Sequence, residues 1–261
     1  MNALKIAATG MAAQQMRVEV ISNNLANMNT TGYNARRAEF ADLNYQQIQR
    51  AGTVSAQDGS VLPAGVQLGM GVRPSAISMN VEQGALKQTG GTLDLAIEGR
   101  GYIEVALPSG GSGYTRDGAL KLTGDGQVVT SDGYPVVPDV TIPDDARDVT
   151  INANGEIYAY FDGQPEAQLL GRLTLAGFTN EKGLEAMGGN LYRETGASGA
   201  ARIGEAGIDG LGTFRQGYLE SSSVDAVREL TELIEAQRGY ELNAKVITAA
   251  DQMLGATTQI R

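Results

Sequence analysis

The chain has 261 residues, of which 42% are apolar, and it carries a formal net charge of -10 with a pI near 4.6. An acidic surplus argues against nucleic acid as a partner, because phosphates require a basic surface. Cys and His are absent, so thiol nucleophiles, thiolate or imidazole metal sites and Ser-His-Asp triads are excluded, and we predict neither a metal nor a cofactor. The 35 glycines, with four Phe and no Trp, favour an elongated, turn-rich molecule.

The chain begins with a pattern typical of a long amphipathic helix. Two sets of apolar residues repeat every seven positions: Leu4, Met11, Val18 and Leu25 in one, and Ala7, Ile21 and Met28 in the other, which Gln14 interrupts. Gly32 follows as the predicted C-terminal glycine of the helix. Polar residues break any apolar core that a signal peptide would need, so we expect this segment to be retained.

Asparagines crowd the end of this predicted helix, at Asn23, Asn24, Asn27 and Asn29. Amides donate and accept hydrogen bonds without the cost of desolvating a charge. Such a helix end therefore suits a buried contact between protein surfaces. The alternative is that the asparagines fray the helix into a loop, because Asn competes for local backbone groups.

The C-terminal segment shows a second seven-residue repeat. One set of positions holds Ala226, Leu233, Tyr240, Ile247 and Leu254, and the other holds Leu230, Gln237 and Ala244. Ser222 and Asp225 have the spacing of a capping box, which predicts a helix start near Val224.

Between the two helices the apolar pattern changes to a period of two, which is typical of strands. Asx-Gly dipeptides separate these runs, at Asp117-Gly118, Asp125-Gly126, Asp132-Gly133, Asn154-Gly155 and Asp162-Gly163. Such dipeptides supply the positive φ angles that tight hairpin loops need. We therefore predict an antiparallel β domain over residues 75–219 and an α+β fold, with the two terminal helices pairing as a coiled-coil-like layer.

Residues 44–72 connect the first helix to this domain and show little charge and no sustained period. A stretch of this length without regular structure is usually functional or disordered. The predicted organisation is then a discontinuous helical domain at 1–32 and 220–261, an extended or β connecting region at 33–74, and the β-rich domain.

Two smaller features have simple interpretations. Gly99-Arg100-Gly101 lacks the third glycine and the helix of a dinucleotide loop, so we interpret it as a turn. The acidic residues at Asp144-Asp145 and between Glu181 and Glu185 do not follow a calcium-loop pattern, and we interpret them as solvated loop charges.

One pair of terminal helices would leave much of its apolar surface uncovered, and residues 1–35 contain only Lys5, Arg17 and Glu19 as charges. We therefore predict that copies of the chain bury these helices. The predicted polymer interface consists of Leu4, Met11, Val18, Ile21, Asn23, Asn24, Leu25, Asn27, Met28, Leu230, Leu233, Gln237, Tyr240, Ala244, Ile247 and Leu254.

Four stretches together resemble the axial proteins of the bacterial flagellar rod and hook. SNNLANMNTTGY resembles their N-terminal signature and ELTELIEAQRGYELNAKVITAADQML their C-terminal one. TLDLAIEGRGYIEV with YTRDGALKLTGDGQVVTSDGYPV resembles their central block, and QGYLESSSVD the junction before the last helix. Within the family, the length and residues 44–72 favour the distal-rod members over proximal rod or hook members.

The resemblance implies a structural subunit of the flagellar basal body and not an enzyme. Subunits of this family would be exported by the flagellar apparatus without a cleaved signal, cross the periplasm as a helical tube around a central channel, and transmit torque from motor to hook. Implied partners are copies of the chain, proximal rod proteins, the hook protein, and periplasmic and outer-membrane ring proteins. The segment at 44–72 would stiffen the tube.

Two other classes of function remain open at this stage. A surface adhesin with coiled-coil ends would form a small closed oligomer. A polysaccharide hydrolase working through two carboxylates is disfavoured by the shortage of aromatic residues that bind sugar rings.

Overall fold

The computed structural model describes residues 2–50, 64–108, 110–163 and 166–259. Two long helices stand at the chain ends, α1 (Asn2–Ala26) and α2 (Ala226–Gln259). A β-rich region lies between them in the sequence, so the α+β prediction is confirmed. Residues 51–63, which belong to the connecting segment predicted at 44–72, lie outside the described residues.

Twenty strands occur in the described part of the chain, and one 3-10 helix spans Glu181–Gly183. In chain order the strands are β1 (Arg36–Asp42), β2 (Tyr45–Gln49), β3 (Val66–Gly69), β4 (Val72–Met79), β5 (Leu86–Gln88), β6 (Leu95–Glu98), β7 (Tyr102–Ala106), β8 (Ser112–Thr115), β9 (Lys121–Leu122), β10 (Val128–Val129), β11 (Val136–Val137), β12 (Ala146–Ile151), β13 (Glu156–Phe161), β14 (Gln168–Arg172), β15 (Thr174–Gly177), β16 (Glu185–Gly188), β17 (Leu191–Arg193), β18 (Arg202–Glu205), β19 (Thr213–Gln216) and β20 (Tyr218–Glu220).

The chain divides into two compact units. Unit 1 comprises residues 1–25, 36–78 and 226–261, and unit 2 comprises residues 26–35 and 79–225. Unit 1 holds the helices and two separate strand pairs, β1 with β4 and β2 with β3. The β2–β3 pair lies within the segment that showed no strand period, and its antiparallel register joins Tyr45 to Gly69. The period is hidden there because both faces of this ribbon are exposed, so no burial alternates along it.

Unit 2 is built around a seven-stranded antiparallel sheet in the order β16-β17-β8-β7-β15-β18, with β11 also paired to β7. A three-stranded sheet, β12-β13-β14, and several two-stranded pairs complete the unit. Successive residues of β7 point to opposite faces of the sheet. Ile103 and Val105 join the main apolar core, whereas Tyr102 joins an aromatic cluster with Tyr114, Phe178 and Tyr192.

The Asx-Gly dipeptides mark turns with one exception. Gly126, Gly133, Gly155 and Gly163 all have φ between 79° and 88°, as a glycine in a tight turn requires. Gly118 does not: a Cβ atom there would lie 1.6 Å from the carbonyl oxygen of Leu95, so this glycine permits a close backbone approach instead. Gly99 and Gly101 flank a turn between β6 and β7, as predicted.

Both helix boundaries differ from the sequence-based prediction by a few residues. α1 ends at Ala26, well before Gly32, and a turn follows in which the Thr30 N–H donates to Asn27 O at 3.1 Å. Gly32 itself has φ of 65°. α2 begins at Ala226, two residues after the predicted start, and the Ser222 hydroxyl accepts a hydrogen bond from the Val224 N–H at 3.3 Å.

Candidate functional site

α1 and α2 contact each other in unit 1 with opposite chain directions. Gly10 lies against Asn243, and Arg17 lies 3.3 Å from a carboxylate oxygen of Glu232. Residue numbers rise along α1 while they fall along α2, so the helices are antiparallel. Small and polar residues of α2 make this contact, at Glu229, Glu232, Ala236, Gly239 and Asn243.

Asn24 connects α1 to the strand that follows it. Its amide donates to Arg36 O at 2.8 Å and accepts from the Arg36 N–H at 2.9 Å. The same amide group donates to Glu229 of α2 at 3.2 Å. Asn24 is 1% exposed, so an ionised side chain there would have lost its water. It also could not both donate to and accept from the backbone of one residue, as the amide does with Arg36. This asparagine is therefore a buried connector, whereas Asn23 and Asn29 are exposed.

α2 also carries large apolar side chains that are exposed in the single chain. Val227 is 74% exposed, Leu242 62% and Met253 66%. The other large apolar residues of this kind are Leu230, Ile234, Tyr240, Val246 and Leu254. We call these eight residues the open face of α2. Eight exposed large apolar residues on one helix mark an interaction site, because isolated exposed apolar residues are ordinary but many together are not.

Unit 2 contains a buried ion pair between Arg116 and Glu220. Arg116 and Glu220 are 6% and 3% exposed, and their side chains approach to 2.8 Å. Arg116 also donates to the carbonyl oxygens of Gly99 and Gly101 at 3.0 Å each. Glu220 accepts from the Gly84 N–H at 3.1 Å. Every charge in this site is thus paired and hydrogen-bonded, as burial of an ion pair requires.

The interpretation of Glu181 as a solvated loop charge is wrong. It is 5% exposed, and it accepts from Arg100 at 2.7 Å and from the Tyr102 hydroxyl at 3.3 Å. Burial, followed by the charge of Glu181, raises the pKa of the Tyr102 phenol, so the hydroxyl keeps its proton and donates. This site could not be predicted from the sequence, because Arg100 lies 81 residues from Glu181.

A cavity of about 150 Å³ lies beside these groups in unit 2, with Asn34, Gln83, Arg100 and Glu181 in its wall. Three charged residues of its wall, Arg100, Arg116 and Glu181, are already engaged in the ion pairs described above. Among the described residues, no three His, Cys, Asp or Glu side chains converge as a metal site would require, and no helix has the length and hydropathy to cross a membrane.

Three family models match the chain in order. A model described as flagella basal body rod protein matches residues 4–34, one described as flagellar hook protein FlgE/F/G D1 domain matches 96–159, and one described as flagellar basal body rod FlgEFG protein C-terminal matches 215–260. The flagellar basal-body rod protein FlgG of Caulobacter vibrioides is 54% identical over 261 residues, covering all of both chains. The FlgG proteins of Agrobacterium fabrum and Bacillus subtilis are 47% and 37% identical and cover 97% and 94% of this chain, and 97% and 94% of their own lengths.

The chain belongs to the FlgG family of flagellar basal-body rod proteins. The resemblance found in the sequence is thereby confirmed, including the preference for a rod protein of this type. The first and last family models fall on α1 and α2, and the central model falls on β6 to β13. The family-specific sequence therefore covers both units.

The predicted interface residues of the FlgG-family chain occupy different environments. On α1 and the turn after it, Ile21 and Asn24 are buried, Leu4, Met11, Val18, Leu25 and Asn27 are half-buried, and Asn23 and Met28 are exposed. On α2, Leu233, Ala244 and Ile247 are half-buried, and Leu230, Gln237, Tyr240 and Leu254 are exposed.

The apolar seven-residue repeat did not identify the residues of α2 that contact α1. Glu229, Ala236, Asn243 and Ala250 also repeat every seven residues, and Ala236 and Ala250 are buried. The sequence signal for this set is the repeat of small and polar residues every seven positions.

Proposed function

We propose that the chain is a structural subunit that self-assembles into the helical, tubular distal rod of the bacterial flagellar basal body. Copies of the chain bury the open face of α2 in this polymer, and the terminal helices form a coiled-coil-like layer around a central export channel. The exposure of that face carries the proposal. A chain working alone would leave eight large apolar side chains in water for no gain, whereas a polymer subunit buries them at each junction.

The contact that supports growth of a tube differs from the contact of a closed dimer. If the open face meets a different surface on the next copy, each added copy presents a new open face, and the polymer continues. The predicted interface residues of α1, including Leu4, Met11 and Val18, are half-buried in the single chain and supply such a second surface. An adhesin with coiled-coil ends would close into a small oligomer instead.

On the same basis we infer the setting of the polymer. The rod crosses the periplasm, its subunits are exported without a cleaved signal peptide, and it transmits torque from motor to hook. Proximal rod proteins, the hook protein and the ring proteins around the rod are its neighbours, and the flagellar export apparatus delivers it. No catalytic role is proposed.

Residues 44–72 are proposed to stiffen the tube by lying against neighbouring copies. The β2–β3 ribbon within this segment exposes Tyr45, Ile48, Val66 and Leu68, and a two-stranded ribbon exposed on both faces is marginal in water by itself. A neighbouring copy of the chain would bury the exposed apolar residues of this ribbon. Deletion of residues 46–63 should give rods that curve or extend like hook filaments, and straight rods would contradict this role.

Electron microscopy and sedimentation of the purified chain test the main proposal. The wild-type chain should form open-ended tubes or filaments, and Ile234→Asp with Val227→Asp should remain monomeric, because both residues are exposed in the single chain and a charge there blocks only assembly. Ile203→Asp is the matched control, since Ile203 is 57% exposed on β18 of unit 2. Filaments from the double variant as abundant as those of the wild type would overturn the proposal.

A further inference from the structure

The contact between α1 and α2 contains two matching features. The amide of Asn243 covers Gly10, where a Cβ atom would lie 3.0 Å from that amide. The amide of Gln14 covers Gly239, where a Cβ atom would lie 3.1 Å from the Gln14 side chain. Each helix thus supplies one glycine and, four residues later, one amide, on adjacent turns of the same face.

The two amides are held differently. The Asn243 amide donates to Gly239 O at 2.9 Å within its own helix, which fixes its direction. The Gln14 side-chain oxygen is buried and has no hydrogen-bond partner. An unpaired buried acceptor destabilises a protein, and a Leu at the same seven-residue position would pack without that cost. A polar residue in a helix contact of this kind commonly sets alignment at the expense of stability.

The positions of the glycines allow one alignment. α1 contains a single glycine, Gly10, and α2 contains Gly239 and Gly255. Sliding α2 by one turn in either direction would place Gln14 against Glu235 or Asn243, where a side chain fills the space that Gly239 leaves open. Only the observed alignment seats both Gln14 and Asn243 on glycines.

We propose that Gln14 and Asn243, each seated on a glycine of the opposite helix, set the alignment of α1 with α2 and thereby fix which α2 residues form the open face. The alignment of the two helices is a property of the single chain. Its consequence for the open face rests on the proposed function, because the open face matters only if copies of the chain assemble through it.

Thermal unfolding of the full chain, followed by helical circular dichroism, tests the alignment. Alanine favours a helix over glycine, so Gly→Ala substitutions in a helix with free space stabilise it. Gly255→Ala is the matched control, since a Cβ atom there meets nothing within 4 Å. It should leave the midpoint unchanged or raise it, whereas Gly239→Ala and Gly10→Ala should lower it by several degrees.

Double variants separate the amide contacts from any other effect of the added methyl group. Gln14→Ala should restore the loss caused by Gly239→Ala, and Asn243→Ala should restore the loss caused by Gly10→Ala. The crossed combinations, such as Gln14→Ala with Gly10→Ala, should not restore it. Equal midpoints for Gly239→Ala and Gly255→Ala, or equal rescue by the crossed combinations, would overturn the proposal.

Gln14→Leu tests the consequence for assembly. It should raise the unfolding midpoint, because it removes the unpaired oxygen, and its filaments should lose regular helical order in electron micrographs. Regular filaments from Gln14→Leu would refute the link between alignment and assembly. If the wild-type chain formed no filaments while the glycine variants behaved as described, the proposed function would fail and the alignment by Gln14 and Asn243 would stand.

Discussion

Unit 2 encloses its large apolar side chains, whereas α2 in unit 1 leaves its own in solvent. Leu95, Ile103, Leu173 and Leu175 of unit 2 are 0% exposed, and its exposed apolar residues, such as Ile203, stand among polar neighbours on short strands. In α2 the residue buried most completely is Ala236, which has little apolar surface to hide. The two units therefore differ in how they place their large apolar residues. Unit 2 buries them in its own core, whereas α2 of unit 1 leaves them exposed.

The two units also differ in net charge. Unit 2 carries 21 acidic and 10 basic residues, whereas unit 1 carries 9 and 10, which together make up the 30 and 20 of the whole chain. The negative charge of the chain thus belongs to unit 2, where mutual repulsion favours solubility. Unit 1 is close to neutral, so copies can bring their helices together without electrostatic penalty.

The largest effect is expected when the terminal segments are removed. A fragment trimmed to about residues 40–220 lacks both helices and should stay a monomer at concentrations where the intact chain polymerises, as measured by sedimentation velocity. The proposed division between an assembling unit and a self-contained one would break if this fragment still built tubes.

The buried ion pair should give the next largest effect, and only on unit 2. Arg116→Met leaves Glu220 charged and buried, which should lower the unfolding free energy by about 3–5 kcal/mol. Arg147→Met is the control: its pair with Asp162 is 78% and 86% exposed at 3.8 Å, so the change should stay within about 0.5 kcal/mol. Urea titration of both variants measures the difference, and equal losses would contradict the structure.

A pair of leucine truncations compares the two units directly. Leu175→Ala empties fully buried space in unit 2 and should cost about 2–5 kcal/mol. Leu242→Ala, at a residue 62% exposed on α2, should cost no more than about 0.5 kcal/mol in the monomer yet weaken assembly. Denaturant unfolding and light scattering check the two expectations, and a large monomer loss from Leu242→Ala would show that α2 is covered within the chain.

The smallest effect concerns acid stability. Hydrogen bonds from Arg172, Asn152 and Tyr158 lower the pKa of the Glu156 carboxyl below its usual 4.5. A lowered carboxyl pKa contributes stability above its unfolded-state value, and this contribution is lost as the pH falls through the folded-state value. Glu156→Gln should therefore be less stable than wild type at neutral pH, with the difference shrinking below pH 4.5 in urea midpoints measured against pH. A difference that persists unchanged into strong acid would show that the charge is irrelevant.

Much of the architecture could be predicted before the structure because it depends on local patterns. The repeats of Leu4, Met11 and Val18 and of Leu233, Ile247 and Leu254 indicated two long helices, and four of the five Asx-Gly dipeptides marked turns. Period and turn chemistry act over a few residues, so they remain visible in a single sequence. The family signatures at both ends were visible for the same reason.

The buried polar sites could not be predicted, because their partners are distant in sequence. Arg116 lies 104 residues from Glu220, and Arg100 lies 81 residues from Glu181, which was interpreted as a solvated loop charge because its region lacks a calcium-loop pattern. Only the pairing of strands brings the compensating groups together, and without those groups burial of the charge would be too costly.

The sequence by itself determined that the chain has two helical ends, a strand-rich middle and more apolar surface on its ends than one pair of helices can cover. The tertiary structure decided which side of α2 meets α1. Ala236, Gly239 and Asn243 lie on that side, whereas Val227, Leu230 and Leu242 remain exposed. Several helix faces satisfy a seven-residue repeat equally well, and the choice depends on how closely the backbones approach. Small residues allow that approach, so they occupy the contact and leave the apolar face open.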